Sequence, residues 1–163
     1  MARQKHGSGT PATQFLRAHR VPFVEHVYDY VEHGGAGHSA SALGVDPHRV
    51  VKTLVMQDEN TRALLVLMHG DRSVSTKNLA RQIGCKSVEL CQPEVANRHS
   101  GYLVGGTSPF GTRKPMPVYY EQSRGDLPGM LVNGGRRGYL VEIDPATAVR
   151  LLQARPVRCA LAE

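Results

Sequence analysis

The sequence has few cysteines and no long apolar run, and each shortage excludes a class of protein. The 163 residues include three cysteines, Cys85, Cys91 and Cys159, and an odd number at scattered positions argues against a disulfide framework. Cys85 and Cys91 also lack the close paired spacing of a zinc knuckle. No apolar segment is long enough to cross a bilayer, and no secretory signal pattern begins the chain. We therefore expect a cytoplasmic protein with reduced thiols and no membrane partner.

The chain is basic, and its positive charges are spread along it. Lysine and arginine number 20 against 14 acidic residues, which gives a net charge of +6 at pH 7. A basic surface favours polyanionic partners, nucleic acid first, although solvated surface charge alone would give the same composition. Six basic residues lie in or beside two glycine-rich segments, where they would attract a phosphate backbone: Arg98, Arg113, Lys114, Arg124, Arg136 and Arg137.

Length and composition predict one domain. A hydrophobic content of 40% and a charged content of 21% are ordinary for a globular protein of this size. We interpret residues 1–9 as a flexible polar tail and residues 10–163 as the single domain. Helical and extended patterns are mixed along the chain, which predicts an α+β (complex α/β) fold with a mixed or largely antiparallel sheet.

Local patterns place the helices and strands. Thr10 and Pro11 begin a helix, since threonine is a good N-cap and proline fits the first helical position. Further helices are predicted at residues 39–43, 76–83 and 93–99 and after Asp144. Residues 32–38, with three glycines, are predicted to form a loop. Strands are predicted at residues 21–30, 50–57, 63–68, 87–90, 117–120, 130–132, 139–143 and 157–161.

Residues 101–111, here called the glycine loop, read Gly-Tyr-Leu-Val-Gly-Gly-Thr-Ser-Pro-Phe-Gly. Glycine brings bare backbone close to a ligand and adopts positive φ without strain. A second glycine-rich segment, residues 133–138, reads Asn-Gly-Gly-Arg-Arg-Gly, and neither segment has the spacing of a dinucleotide-binding fingerprint. Either segment alone is best interpreted as a tight connection between strands. The two together with Lys52 indicate a binding site.

Lys52 is unusual because it interrupts an apolar strand. On a strand it shares a face with Leu54 and Met56, so it lies either at an edge, with its amine in water, or at the mouth of a pocket. Eight histidines invite a metal interpretation, but none has the spacing of a zinc protease, and we expect no metal. Ser108 precedes a proline and does not fit the nucleophile elbow of hydrolases. Tyr28 is either a core or a pocket residue.

Several short motifs together resemble one family. In chain order they are Thr10-Pro11-Ala12, Tyr28, Val51-Lys52-Thr53-Leu54, the glycine loop and Gly134-Gly135-Arg136-Arg137-Gly138. They resemble the YbaK-type aminoacyl-tRNA deacylases, free-standing relatives of the editing domain inserted in bacterial prolyl-tRNA synthetases. The resemblance covers roughly residues 10–160. It implies a mixed, partly curled central sheet surrounded by helices, no cofactor, and the clearing of mischarged tRNA, most commonly Cys-tRNA(Pro).

The resemblance also implies roles for individual residues. Lys52 matches the family's essential lysine, and Tyr28 matches a pocket tyrosine. Gly105 and Gly106 match glycines that line the pocket. The remaining substrate-binding residues that the resemblance implies come from the glycine loop and from a second wall: Gly101, Ser108, Pro109, Asn133, Gly134 and Gly135. Two departures bear on amino-acid specificity, namely the glycine-rich residues 32–38 and Asn133, where the cysteine-specific branch commonly has serine.

The implied chemistry needs no strong nucleophile. An aminoacyl ester is already activated, so preorganised donors at the carbonyl oxygen can lower the barrier, supplied by Lys52 and glycine-loop amides. The attacking group is either water or the thiol of a cysteinyl substrate, which would leave a cyclic thiolactone. The expected partners are the tRNA acceptor end and, as a candidate, prolyl-tRNA synthetase. Two other functions stay open: a non-catalytic module that binds tRNA, a synthetase or DNA, and a small-molecule esterase.

Overall fold

The computed structural model describes residues 9–123 and 127–162, so most of the predicted tail and Arg124 lie outside the described residues. Its helices are α1 (Pro11–Ala18), α2 (Gly35–Leu43), α3 (Thr76–Ile83), α4 (Pro93–Ser100) and α5 (Pro145–Leu152), with a 3-10 turn at Pro47–Arg49. Its strands are β1 (Val24–Val27), β2 (Val51–Asp58), β3 (Ala63–His69), β4 (Arg72–Val74), β5 (Val88–Leu90), β6 (Val118–Glu121), β7 (Met130–Arg136), β8 (Tyr139–Ile143), β9 (Arg155–Val157) and β10 (Ala160–Ala162).

The strands form one large mixed sheet and two smaller ones. The five-stranded sheet has the order β5-β2-β3-β6-β9, antiparallel from β5 to β3 and parallel from β3 to β9. A three-stranded antiparallel sheet has the order β1-β8-β7, and β10 pairs with β4. A parallel bridge between Val50 and Leu131 joins the two larger sheets at the start of β2. The predicted α+β class with a mixed sheet is confirmed.

Strand β3 lies at the centre of the core, and all seven of its residues are buried. Because side chains alternate along a strand, its two faces serve different apolar clusters. Leu65 and Leu67 pack in the cluster that contains Phe110 and Met130. The other face, residues 64, 66 and 68, packs in a second cluster with Leu79. The strand therefore contributes side chains to both apolar clusters of the core.

The helix starts predicted at Thr10, Pro93 and Asp144 are confirmed. Thr10 caps α1, since its hydroxyl oxygen accepts from the backbone N–H of Thr13 at 3.1 Å. The same hydroxyl donates to the carbonyl oxygen of Gly134 at 2.7 Å, which ties the first helix to β7. The carboxylate of Asp144 caps α5 in the same way. These helix starts could be predicted from the local sequence, because a capping side chain bonds backbone N–H groups that have no partner within the helix.

Two predictions near the N-terminus were wrong. The strand predicted at residues 21–30 is limited to Val24–Val27, because among the described residues β1 pairs with β8 alone, and it does so over these four residues. The next residue, Tyr28, turns away and donates its backbone N–H to the carbonyl oxygen of Gly138 at 3.0 Å. The loop predicted at residues 32–38 ends earlier, since α2 begins at Gly35. The glycines of this segment favoured a loop in the prediction, but burial of Ser39 and Ala40 stabilises the helix.

Two further predictions need correction, and one strand was not predicted. Residues 133–136 belong to β7, so the predicted second loop is mostly strand, with a bulge between Asn133 and Arg136. The Asn133 side-chain oxygen accepts from the backbone N–H of Gly135 at 2.7 Å and of Arg136 at 3.1 Å, which stabilises this bulge. The strand predicted at residues 157–161 is two strands, β9 and β10. Strand β4 was not predicted, because three residues carry too little pattern.

We expect Thr10→Ala to lower the free energy of unfolding by about 2 to 3 kcal/mol, because it removes a helix cap and leaves the Gly134 carbonyl without its donor. Ser75 caps α3 only locally, accepting from the Asn78 N–H at 3.2 Å, so Ser75→Ala is a matched control worth about 1 kcal/mol. Urea unfolding measures both. Equal losses in the two variants would contradict a stabilising role for the bond to Gly134.

Candidate functional site

A cavity of about 430 Å³ lies beside the exposed edge of β2. Strand β5 pairs with residues 56–58 of β2, and Val50 bridges to β7. Between these two partners, residues 51–55 border the cavity. The other walls come from the segment after β1, from α2, from the start of α4, from Val104, Gly105 and Thr107 of the glycine loop, and from β7–β8. The cavity therefore occupies an interruption between the two larger sheets.

The structure brings four of the predicted site residues to this cavity. Tyr28, Lys52, Gly105 and Asn133 line it, although they come from four separate parts of the chain. The other predicted residues are not among the lining residues: Gly101, Gly106, Ser108, Pro109, Gly134 and Gly135. Of these, Ser108 is fully buried, and its hydroxyl oxygen accepts from the backbone N–H of Phe110 at 3.2 Å.

Lys52 lies at the border of the cavity and is partly buried. Its amine donates to the carbonyl oxygen of Arg72 at 2.5 Å. Arg72 begins β4, so this hydrogen bond ties the amine to β4. By strand alternation Lys52 shares a face with Leu54, whereas Thr53 shares the opposite face with Val51. A backbone carbonyl oxygen therefore orients the Lys52 side chain, and this contact is a hydrogen bond and not an ion pair.

The glycine loop is clamped to the β7–β8 turn. A Cβ on Gly106 would lie 2.8 Å from backbone atoms of both Arg136 and Arg137, a distance that only glycine permits. The Arg137 guanidinium donates to the carbonyl oxygen of Val104 through Nε at 3.1 Å and Nη2 at 2.9 Å. Gly105 has φ +94°, which also favours glycine. These contacts fix the wall that the loop gives to the cavity.

Few of the backbone N–H groups in these two segments are available to a ligand. The Gly106 N–H donates to the carbonyl oxygen of Leu103 at 2.8 Å. The N–H groups of Gly135 and Arg136 are bound by Asn133. The Gly105 N–H has no hydrogen-bond acceptor among the described residues, and Gly105 lines the cavity. Of the amides that the sequence suggested, this one is therefore the candidate for contact with a bound carbonyl.

The cavity also has aromatic and amide groups in fixed positions. Burial raises the pKa of the Tyr28 phenol, and a hydrogen bond with Ser39 partly offsets that effect. The side-chain N–H of Asn133 donates to the Gly105 carbonyl at 3.3 Å, so β7 and the glycine loop are joined at the cavity itself. Tyr28 therefore stays a neutral phenol at neutral pH, able to donate as well as accept a hydrogen bond.

A cationic cluster lies at the C-terminal end of α4, a helix whose first residues line the cavity. The backbone N–H of Lys114 donates to the carbonyl oxygen of His99 at 3.0 Å, and burial together with the positive charges of Lys114 and Arg98 lowers the pKa of His99. Neither Arg98 nor Lys114 forms an ion pair with an acidic side chain among the described residues. Leu103, 60% exposed, and Val104, 44% exposed, follow α4 in the chain, and Val104 lines the cavity. An anionic ligand with an apolar part fits such a surface.

Neither a metal site nor a membrane-spanning helix is found among the described residues. No group of three or more histidine, cysteine, aspartate or glutamate side chains is placed there to hold a metal ion. In the part of the chain that the structure describes, none of the helices has the length and apolar character that a membrane span requires.

Sequence reasoning missed several residues that form the cavity. Thr53 belongs to the same motif as Lys52, but no role was predicted for it. Side-chain alternation along β2 places it on the opposite face of the strand from Lys52. Val104 and Cys91 line the cavity, and no local pattern distinguishes them from core residues. Arg137 was noticed only as charge, whereas its two bonds to Val104 make it a structural clamp.

Comparison with known proteins identifies relatives along nearly the whole chain. The family model described as aminoacyl-tRNA editing domain matches residues 35–151. EbsC of Enterococcus faecalis, named as a candidate Cys-tRNA(Pro)/Cys-tRNA(Cys) deacylase, is 30% identical over 152 residues, covering 93% of each chain. The proline–tRNA ligase of Moorella thermoacetica is 30% identical over 104 residues, 63% of this chain and 18% of the ligase.

A solved structure shares the fold. It is described as a candidate trans-editing enzyme for prolyl tRNA synthetase and superposes with a TM-score of 0.81 at 22% identity. The match covers 93% of this chain and 96% of that one. The family resemblance drawn from the motifs is confirmed by these comparisons.

We expect Gly106→Ala to lower the free energy of unfolding by about 3 kcal/mol, because the new methyl would collide with the backbone of β7. Gly37→Ala is the control, since Gly37 is exposed inside α2 with nothing within 4 Å of an added Cβ. That control should gain about 0.5 to 1 kcal/mol. Thermal and urea unfolding test both, and a Gly106→Ala variant of unchanged stability would rule out the clamp.

Proposed function

This chain belongs to the aminoacyl-tRNA editing domain family, and from that membership together with the cavity we propose that it is a trans-editing deacylase. Its proposed substrate is mischarged tRNA, most specifically cysteine esterified to proline tRNA. The printed name of the Enterococcus faecalis relative and the presence of a related segment in a proline–tRNA ligase support this substrate. The proposal places the protein in the cytoplasm, where aminoacylated tRNA is used.

The observation that carries the proposal is the cavity itself. Its volume of about 430 Å³ is within the range of small-molecule sites and suits one aminoacyl group with part of a ribose. Lys52 and Gly105 border the same space. A carbonyl oxygen bound there would meet a cation and a backbone N–H, the two kinds of group that stabilise a developing oxyanion.

The proposed mechanism relies on electrostatic stabilisation of an activated ester. As the nucleophile attacks, negative charge grows on the carbonyl oxygen, and the Gly105 N–H and the Lys52 ammonium stabilise it. The ester carbon–oxygen bond then breaks, and the ribose hydroxyl of the tRNA leaves with a proton. Either water attacks, giving the free amino acid, or the thiol of a cysteinyl substrate attacks, giving a thiolactone. Tyr28 would hold the substrate as a hydrogen-bond partner.

The cationic cluster at the end of α4 would hold the RNA. Arg98 and Lys114 are exposed at the end of α4, and the residues that follow α4 include Val104, which lines the cavity. Phosphates bound by lysine and arginine release counterions, so binding of this kind weakens steeply with salt. We propose that the acceptor strand of the tRNA lies across this surface, with its aminoacylated 3′ end in the cavity. A prolyl-tRNA synthetase is the candidate partner that would deliver the tRNA.

The direct test of the proposed function is a panel of aminoacyl-tRNAs, each incubated with the purified protein. We expect cysteinyl-tRNA(Pro) to be deacylated well above its spontaneous rate and correctly charged prolyl-tRNA to be spared. Absence of acceleration for every member would favour the non-catalytic binding module. Salt-insensitive cleavage of simple amino-acid esters, with no effect of tRNA, would favour a small-molecule esterase.

Lys52→Ala should reduce kcat/KM for cysteinyl-tRNA(Pro) by about 100-fold or more, the usual cost of removing one oxyanion-stabilising donor. Circular dichroism and the unfolding midpoint should change little, because Lys52 is partly exposed. The control is Lys86→Ala, which removes an exposed lysine from the segment before β5. Turnover of Lys52→Ala within a few-fold of wild type would eliminate the proposed role of the lysine.

Charge reversal at Arg98 and Lys114 should raise KM for the aminoacyl-tRNA by about tenfold at low salt and leave kcat nearly unchanged. Reversal of Lys77 and Arg81, exposed on α3, makes the same change in net charge and serves as the control. Steady-state kinetics at two salt concentrations measures both pairs. An equal effect of the two double variants would mean that net charge matters and that the cluster on α4 is not a specific docking surface.

A further inference from the structure

The polar side chains that line the cavity are almost all engaged by other protein groups. Ser39 donates to the Ala36 carbonyl oxygen at 3.1 Å, and Asn133 donates to that of Gly105 at 3.3 Å. Arg137 is bound to the carbonyl oxygen of Val104, as described above. One side chain of the lining, Thr53, differs from these.

The Thr53 hydroxyl is buried without a hydrogen-bond partner. Among the side-chain polar atoms of the described residues, it is the one that is excluded from solvent and has no partner. Buried hydroxyls are nearly always hydrogen-bonded, because an unpaired one loses its bonds to water and gains nothing in return. A free hydroxyl at a binding cavity is therefore a feature that needs a functional explanation.

The surroundings of Thr53 are apolar. It lies on the face of β2 that also carries Val51 and Val55, both of which line the cavity. Cys91 and Ala96 also line the cavity and belong to the same buried cluster as the two valines. Among the side chains of this part of the wall, the Thr53 hydroxyl is the polar group without a partner, since the valines and the alanine are apolar and the Cys91 thiol donates to another side chain.

We propose that Thr53 reads the side chain of the bound aminoacyl group and selects one that carries a hydrogen-bonding atom. Rotation about χ1 by one staggered step exchanges the hydroxyl and the methyl of threonine, which share the same carbon. After that rotation the hydroxyl faces the cavity and pairs with a substrate –SH or –OH. The substrate class is thus small polar side chains, cysteine and serine, over apolar ones of the same size. This inference rests on the proposed function.

The energetic basis is the asymmetry of hydrogen bonding. A site whose polar group is paired by the right substrate leaves that group unpaired with an apolar analogue, and this difference separates the two substrates. Serine and 2-aminobutyrate make a suitable pair because they differ only in hydroxyl against methyl. Neither carries a thiol, so the comparison does not depend on whether the substrate attacks its own ester.

The test is a binding measurement with two adenosine analogues, one carrying a 3′-amide-linked seryl group and the other a 2-aminobutyryl group. The wild-type protein should bind the seryl analogue about tenfold more tightly, which corresponds to one recovered hydrogen bond. Thr53→Val should abolish this preference by weakening the seryl analogue, and Thr53→Ser should retain it. Isothermal titration calorimetry measures all six dissociation constants.

A second readout is stability without ligand. Thr53→Val replaces the unpaired hydroxyl by a methyl of the same shape, so the unfolding midpoint of the free protein should rise. A purely structural role for the hydroxyl predicts the opposite, a lower midpoint and unchanged selectivity. Should the valine variant not fold, Thr53→Ala takes its place in the binding test.

The outcomes separate this inference from the proposed function. A wild-type preference that survives in Thr53→Val, or no preference in wild type, overturns the role of Thr53 whatever the enzyme does. Lack of cysteinyl-tRNA deacylation by the wild-type protein overturns the proposed function, and the analogue measurement is still decisive for Thr53. Failure of both analogues to bind overturns the role of Thr53 as well.

Discussion

The cavity depends on the close approach of two backbones, at Gly106 and at Arg136–Arg137. No side chain fits between them, since a Cβ on Gly106 would lie 2.8 Å from atoms of both arginines. This contact, with the two hydrogen bonds from Arg137 to Val104, fixes the glycine loop against the turn after β7. Ordering a glycine-rich loop has a large entropic cost, because glycine is the most flexible residue. The contacts with β7 and Arg137 offset that cost. The shape of the cavity follows from this clamp.

The position of Lys52 depends on an element with almost no sequence signal. Its amine is held by the carbonyl oxygen of Arg72 on β4, a strand of three residues. Arg72 in turn pairs with Asp71 at 3.1 Å, and Asp71 lies 2.8 Å from Nδ1 of His48. The lysine is thus aligned by a backbone oxygen whose strand is fixed by polar side chains. The proposed mechanism requires the amine to turn from this oxygen to the carbonyl of the bound ester.

Much of the fold could be predicted from the sequence, and the site in part. Caps such as Thr10 and Asp144 are local signals, and the apolar run of β3 could only be a buried strand. Which of Gly105 and Gly106 faces the cavity could not be predicted, because it depends on packing against β7, far along the chain. The bulge at Asn133 was also hidden, since its side chain replaces strand partners with bonds to its own neighbours. Thr53 was overlooked because an unpaired hydroxyl is a property of the folded state.

The central claim is that the aminoacyl group binds between the edge of β2 and the glycine loop. The most direct measurement follows backbone amide signals by nuclear magnetic resonance while an amide-linked cysteinyl-adenosine analogue is added. The account predicts shifts concentrated at Lys52, Thr53, Gly105 and Asn133, four of the residues that border the cavity. Shifts confined to α3, or none at saturating analogue while the protein still deacylates cysteinyl-tRNA, would contradict it.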